Sequence, residues 1–388
     1  MTVCRAPLQA VVCWTESRPV TARLTLVDYL SRRKKLQAAL EPARLDGLLL
    51  THLPNIRYIC GFTGSSGVLV LSAGKSVFFT DGRYAEQARG EVRTSQVIVS
   101  RKPTLTAAAG WLASQGKKLG LKVIGIEGDH LTLAARAQLG KGLSSRLRLR
   151  LAPPLVEQAR MVKDAEEISC LRAAVLLGSS LFDRALATIR PGLPETAVAA
   201  EIEYAARSQG ADGMSFETIV AAGKRSALPH GRASRSPIPK TGFVVCDFGV
   251  ILSGYCSDMT RTVHVGRPSA EACRMYETLR DAQQAALQAV SPGNTVGEVD
   301  KAARNALKKK GLAKYFPHST GHGVGLEIHE PPRLAAAQKE ILRPGMVVTV
   351  EPGIYISGSG GARIEDMVVV TERGCEVLTP TPKDLITI

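Results

Sequence analysis

The sequence predicts an α/β (α+β) chain of two domains, the second built from two halves related by pseudo-twofold symmetry. Three observations predict it. Short apolar strands alternate with helices over residues 25–152, as in α/β packing. The charge changes near residue 160: residues 1–160 hold 24 Lys and Arg against 10 Asp and Glu, a net +14, whereas residues 161–388 hold 26 against 25, a net +1. Beyond that point one order of features occurs twice: helix, Pro-Gly stop, helix, Gly, then a Gly-apolar-Val-Val strand. Pro191-Gly192 precedes Pro292-Gly293 by 101 residues, Gly210 precedes Gly311 by 101, and Gly242 precedes Gly345 by 103. Chance supplies one Pro-Gly match more readily than four features in order.

The 388 residues suffice for two domains, and 45% hydrophobic with 22% charged residues excludes a disordered or collagen-like chain. Residues 1–24 read as a loose N-terminal extension. Its apolar patch, Ala10 to Trp14, is too short for a signal-peptide core and runs into Glu16 and Arg18. Residues 27–41 read as a basic amphipathic helix carrying Arg32-Arg33-Lys34-Lys35 and ended by Pro42. Residues 47–50 read as a buried strand, 67–72 and 76–80 as a strand pair turned at Ala73-Gly74-Lys75, 83–89 as helix and 123–127 as strand. The domain boundaries follow: 25–152 for the N-terminal domain, 153–163 for a linker, 164–388 for the C-terminal domain. Pro153-Pro154 continues neither helix nor strand, which makes 153–163 the connection.

In the C-terminal domain residues 164–189 read as helix, with Asp164 as N-cap and Glu166 and Glu167 in the first turn. Residues 194–208 form the second helix, and 271–290 and 296–310 repeat the pair. Thr295 and Glu298 make a capping box at the start of the last.

Several functions fall away. No apolar run reaches the ~20 residues that span a bilayer. The eight cysteines include no CxxC pair and read as reduced thiols of a cytoplasmic protein rather than disulfides. Gly223-Lys224 resembles a Walker A ending, but Thr218 and Arg225 stand where Gly and Ser/Thr are needed. No G-x-S-x-G nucleophile elbow exists. His318 and His322 have zincin spacing but lack the Glu, and Gly321 and Gly323 disfavour the helix. The net charge of +15 raises nucleic acid as a partner, yet the excess lies in residues 1–160. A solvated surface is the default reading, steering of peptide carboxylates to the site a further hypothesis, and nucleic acid a minor alternative. His264 reads as an exposed strand histidine, and His52 and His130 as histidines without partners.

Each repeated strand runs into an acid, Asp247 in the first half and Glu351 in the second, with a Gly two residues on. A second acid follows a strand-turn-strand later, Asp258 and Glu365. Any one of them alone would be a turn or cap residue. Four such carboxylates at matched places are costly to bury and repel strongly unless cations lie between them. His322, in Gly321-His322-Gly323-Val324-Gly325, adds an imidazole. Four carboxylates and one imidazole suit two divalent ions such as Mn²⁺ or Co²⁺, with Zn²⁺ and Fe²⁺ as alternatives. Two metals ~3.5–4 Å apart acidify a bridging water and polarise a carbonyl, so no Ser or Cys nucleophile is needed.

Residues 215–370 resemble the pita-bread-fold metallopeptidases, which include aminopeptidase P, prolidase and methionine aminopeptidase. The matching stretches are Leu228-Pro229-His230-Gly231, Asp247-Phe248-Gly249, Gly254 to Thr262, His318 to Gly325, Ile328-His329-Glu330, Val350-Glu351-Pro352-Gly353 and Arg363-Ile364-Glu365-Asp366. Asn55-Ile56-Arg57-Tyr58, Gly61-Phe62-Thr63-Gly64-Ser65 and Thr80-Asp81-Gly82-Arg83-Tyr84 are similar to the creatinase/prolidase-type N-terminal domain. The resemblance implies roles. Asp247 would chelate one metal, Asp258 and Glu365 would bridge both, and His322 with Glu351 would complete the other. Glu351 would also handle protons with the bridging hydroxide. His230 and His329 would hydrogen-bond the substrate and the tetrahedral oxyanion, and His318 and Arg363 would line the site and orient substrate or ligands.

The function so implied is a dimetal Xaa-Pro aminopeptidase, with Mn²⁺ the first choice of metal. Its substrates would be small peptides with proline second, and its state a cytoplasmic homodimer in which an N-terminal domain can reach the neighbouring site. The alternative is prolidase, restricted to Xaa-Pro dipeptides. A more remote one is a metal-free pita-bread binding protein, against which the complete ligand set speaks.

Overall fold

The protein is described over residues 27–388 from a computed structural model. The proposed extension over 1–24, with Cys4 and Cys13, lies outside the described residues. Helix α1 (Tyr29–Leu40) begins where Asp28 accepts a hydrogen bond from the Ser31 N–H, at 2.9 Å. Six strands follow, β1 (Gly47–Leu50), β2 (Val68–Ser72), β3 (Ser76–Asp81), β4 (Gln96–Ser100), β5 (Val123–Ile126) and β6 (Arg148–Leu151), in one sheet of order β4-β3-β2-β1-β5-β6. The β1-β5, β5-β6 and β3-β4 pairs are parallel, while β2 runs antiparallel to β1 and β3.

The run Leu48-Leu49-Leu50 is buried on both faces, as a central strand of a covered sheet must be. Leu48 and Leu50 pack with α1 and α2 (Leu53–Cys60), and Leu49 packs on the other face with α4 (Thr104–Gln115) and α5 (Leu133–Gly142). The helix read over 83–89 is a single 3₁₀ turn followed by α3 (Ala85–Glu91).

The segment 153–163, read as a linker, holds a helix, α6 (Leu155–Met161). Pro154 stops the preceding strand but also serves as N-cap, where its missing N–H costs nothing. Val156 packs into the N-terminal core and Met161 into the C-terminal one, so the connection is a rigid joint.

Helix α7 (Ala165–Thr188) opens on a complete Asp164/Glu167 capping box, and α8 (Glu195–Ser208) follows Gly192, whose φ of +84° suits glycine. The second half repeats this with α9 (Ala270–Ala289), Gly293 at φ +91°, the Thr295/Glu298 capping box and α10 (Val296–Lys308).

Under α7 and α8 lie β8 (Ile219–Ala222), β9 (Gly242–Phe248) and β12 (Met259–Val265), with β7 (Gly213–Met214), β10 (Val250–Leu252) and β11 (Tyr255–Cys256) in a small sheet beside them. Under α9 and α10 lie β13 (Gly321–Gly323), β14 (Glu330–Leu334), β15 (Val347–Val350), β18 (Asp366–Thr371) and β19 (Gly374–Val377), with β16 (Gly353–Ile356) and β17 (Gly360–Arg363) as a hairpin. The antiparallel ladders correspond: Asp247 faces Thr260 in β9-β12, and Val350 faces Asp366 in β15-β18. Asp247 therefore lies within its strand rather than after it, because the ladder runs one residue past the acid, to Phe248 opposite Met259.

Three histidines differ from their sequence readings. His264 is buried, its Nδ1 2.8 Å from the Gly266 carbonyl, because residues 386–388 close over β12 through backbone hydrogen bonds to it. His52 and His130 stack at 3.5 Å with 10° between their planes, and His52 Nε2 lies 2.9 Å from Glu327 Oε2 across the domain junction. The six cysteines among the described residues are free, and Cys60, Cys170, Cys246 and Cys256 are buried. No helix among the described residues is long and apolar enough to cross a membrane.

Candidate metal centre and its cavity

The two halves meet along a cavity of about 820 Å³ lined by all nine singled-out residues: Asp247, Asp258, His322, Glu351 and Glu365, with His230, His318, His329 and Arg363. Asp247 comes from β9, and Asp258 from the turn between β11 and β12. Glu351 follows β15, and Glu365 sits between β17 and β18. His322 is held in β13, where Gly321 is required because a Cβ there would fall 2.0 Å from the Thr349 carbonyl oxygen.

Asp258, His322 and Glu365 each offer a ligand atom, all within 4.8 Å of one another. His322 Nε2 lies 3.6 Å from Asp258 Oδ2 and 3.6 Å from Glu351 Oε1. Its Nδ1 lies 3.0 Å from the Gly323 carbonyl, which fixes the proton on Nδ1 and leaves Nε2 free as a ligand.

Each of three carboxylates has one anchored or shared side and one open oxygen. Asp247 Oδ1, Asp258 Oδ1 and Glu365 Oε1 are buried without a hydrogen-bond partner. A buried orphan acceptor costs roughly 1–3 kcal/mol, more when charged. Three converging on one cavity fit divalent cations, which take oxygen and imidazole donors.

The electrostatics agree. Burial raises the carboxyls of Asp258 and Glu365 well above their ordinary range, and the neighbouring acids raise them further. Glu351 is pushed up to about 7 by burial. Burial lowers His322 to about 4, so it stays neutral and able to donate its lone pair. Cations would remove the repulsion that holds protons on these acids.

Arg363 is buried at 3% exposure and fully occupied. It donates through Nη2 to Asp247, through Nε to Thr260 Oγ1 at 2.9 Å, and through Nη1 to Tyr355 Oη at 2.7 Å and the Pro229 carbonyl at 2.9 Å. It thus fixes a ligand and the loop that presents His230. Thr260 in turn donates to Glu365 Oε2 at 2.7 Å. His318 is lowered to about 4 by burial and then by Arg363. Its Nε2 meets Tyr355 Oη at 3.0 Å and its Nδ1 the Ser319 carbonyl at 2.9 Å, so it lines the cavity with both nitrogens engaged. His230 is exposed at the cavity wall. The His329 ring packs 4.4 Å from that of His322, at 67°.

Tyr355, Thr260, Phe216 and Arg333 were not singled out from sequence. Tyr355 sits in an apolar strand, and nothing local marks its hydroxyl as a partner of Arg363. Arg333 faces His322 across the β13-β14 ladder and lines the cavity, exposed and without an ion pair among the described residues. The Pro331-Pro332-Arg333 stretch signals a turn, not a site.

The sequence pattern described as metallopeptidase family M24 matches residues 169–372, and that described as the creatinase/prolidase N-terminal domain matches residues 32–162. A Bacillus subtilis protein described as an uncharacterised peptidase is 43% identical over 353 residues, 91% of this chain and 99% of that protein. A solved structure described as an Xaa-Pro dipeptidase from Bacillus anthracis superposes with a TM-score of 0.89 at 41% identity, covering 93% of this chain and 100% of that one. The crystal structure of an X-Pro aminopeptidase from Thermotoga maritima gives 0.83 at 34%, covering 90% and 99%.

Proposed function

Because the chain belongs to metallopeptidase family M24, we propose that it is a dimetal peptidase that hydrolyses Xaa-Pro dipeptides. This reverses the order expected from sequence, where the aminopeptidase came first and the dipeptidase second. The likeness to the B. anthracis dipeptidase exceeds that to the T. maritima aminopeptidase in both identity and TM-score. The observation that carries the dipeptide reading is Arg333. It is an exposed cation in the cavity wall, opposite His322, with no ion pair among the described residues. A dipeptide ends in a free carboxylate immediately beyond the proline, and a guanidinium can grip it bidentately. A longer peptide places a neutral amide there.

Asp247, Asp258, His322, Glu351 and Glu365 would hold two divalent cations, Mn²⁺ first among them, which supply Lewis acidity to the scissile carbonyl and to water. The chain's own groups do the rest. His329 and His230 donate hydrogen bonds to the substrate carbonyl oxygen as it gains charge. Glu351, beside the proposed metals, can take a proton from water and return it to the proline nitrogen as the C–N bond breaks. Arg363 keeps Asp247 and the His230 loop in place. The native state we propose is a cytoplasmic homodimer.

Leu-Pro and Leu-Pro-Gly assayed side by side with added Mn²⁺ test the reading. Hydrolysis of Leu-Pro with little of Leu-Pro-Gly is expected. Preference for the tripeptide returns the protein to the aminopeptidases, and cleavage of neither rejects the function.

A further inference from the structure

Outside the metal centre, one cluster of buried charge lies where α6 meets the loop that carries His329. We infer that Arg160 is a positioning residue for His329, acting through Glu330; the inference rests on the reading of His329 as a substrate donor. The His329 ring packs on that of His322 and has no side-chain hydrogen bond among the described residues. Its place is set by that packing and by its backbone, and the next residue is tied on both carboxylate oxygens.

Glu330 Oε1 accepts from Arg160 Nη2 and, at 3.1 Å, from the Glu327 N–H; Oε2 lies 3.2 Å from Lys163 Nζ. Arg160 Nη2 also reaches Glu327 Oε2, at 2.8 Å. One guanidinium thus holds both ends of the turn that precedes β14. Gly325 makes room for this, since a Cβ there would lie 2.6 Å from each Glu330 oxygen.

Arg160 is itself fixed from the N-terminal domain. Its Nη1 donates to Asn55 Oδ1 at 2.6 Å, and Asn55 Nδ2 donates to Glu127 and Glu157 at 2.7 and 2.6 Å. Asn55 is fully buried, and Arg160, Lys163 and Glu330 are 3%, 4% and 6% exposed. Replacing such a buried ionic cluster by apolar side chains is often neutral or stabilising, so stability alone explains it poorly. Placement of the adjacent donor explains it better, because an error of about 1 Å at a reacting group can cost on the order of 100-fold in rate.

Arg160→Met in the full-length, Mn²⁺-loaded protein tests this. Mn²⁺ affinity and KM for Leu-Pro are expected to stay within about 3-fold, because Arg160 touches no proposed ligand, while kcat falls by about 100-fold. In a His329→Ala background the same substitution is expected to cost less than about 3-fold, the non-additivity of two residues acting as one. Equal losses in both backgrounds, or an unchanged kcat, would overturn the inference. Should Arg160→Met not fold, Glu330→Gln carries the same test with less change of volume. Amide hydrogen exchange reads the anchoring without any substrate: protection over residues 326–334 should drop while that over 247–261 stays. Unchanged protection there defeats the inference even if no Xaa-Pro peptide is cleaved, an outcome that would separately reject the proposed function.

Discussion

Arg363 donates through Nη2 to Oδ2 of Asp247 and leaves Oδ1 of the same carboxylate buried and without a partner. One oxygen is immobilised and the other is presented to the cavity. Arg363→Met should therefore weaken Mn²⁺ binding by about 10–100-fold, the usual cost of losing the group that orients a ligand. Calorimetric titration checks it. Wild-type affinity would mean that Asp247 needs no anchor.

Asp258→Asn and Glu365→Gln are expected to abolish hydrolysis and keep the circular dichroism of the parent. Their metal-free forms should melt at or above metal-free wild type, since each removes a carboxyl whose ionisation burial and like-charged neighbours penalise in the fold. Near-normal turnover in either variant would remove that residue from the proposed ligand set.

The metal-free protein should lose stability as pH rises from about 6.5 to 8. In that window the unfolded chain has its carboxyls already ionised, whereas folded Glu351, raised to about 7, gives up its proton only as the pH passes through it, and burial raises Asp258 and Glu365 in the same direction. The folded state binds more protons, so stability declines with pH. His318 and His322, lowered to about 4, act in the opposite direction but only below about 6.5. A Tm series across this range, with chelator and with Mn²⁺, checks it. The decline should vanish in the loaded protein, and its presence in both would place its origin elsewhere.

Asp164→Ala removes an N-cap whose carboxylate accepts from the Glu167 N–H at 2.9 Å and from Arg32 at 2.6 Å. A loss of about 1–2 kcal/mol is expected from the cap. Glu167 remains 3.1 Å from Arg32, so the domain contact should persist and kcat/KM stay unchanged. Urea titration followed by an assay of the folded variant measures both.

The +14 carried by residues 1–160 should make kcat/KM for acidic peptides such as Glu-Pro fall with added NaCl more than that for Lys-Pro. Equal salt slopes would leave the basic surface without a steering role.

Much of this architecture was legible locally. Helix ends at Asp164 and Thr295, the Pro-Gly stops and the Val-rich strands are short-range signals, and the acids stood out because the repeat set them at matched places. What was hidden is non-local. His264 looked exposed because the residues that cover it lie at the other end of the chain. His52 and His130 looked solitary because their stack and the Glu327 contact form across a domain junction. Pro153-Pro154 read as a break, although the same chemistry that ends a strand begins a helix. Arg333 escaped notice because an arginine beside prolines looks like any surface turn until the facing strand carries a proposed ligand.

The division of the acids between the halves has a developmental consequence. Asp247 and Asp258 belong to the first half; His322, Glu351 and Glu365 belong to the second. A nascent chain that has emerged only through β12 carries two acids and no complete cage. On the proposed ligand set, three of the five ligands would still be missing at that point, and the cage would be complete only once the second half has joined the first.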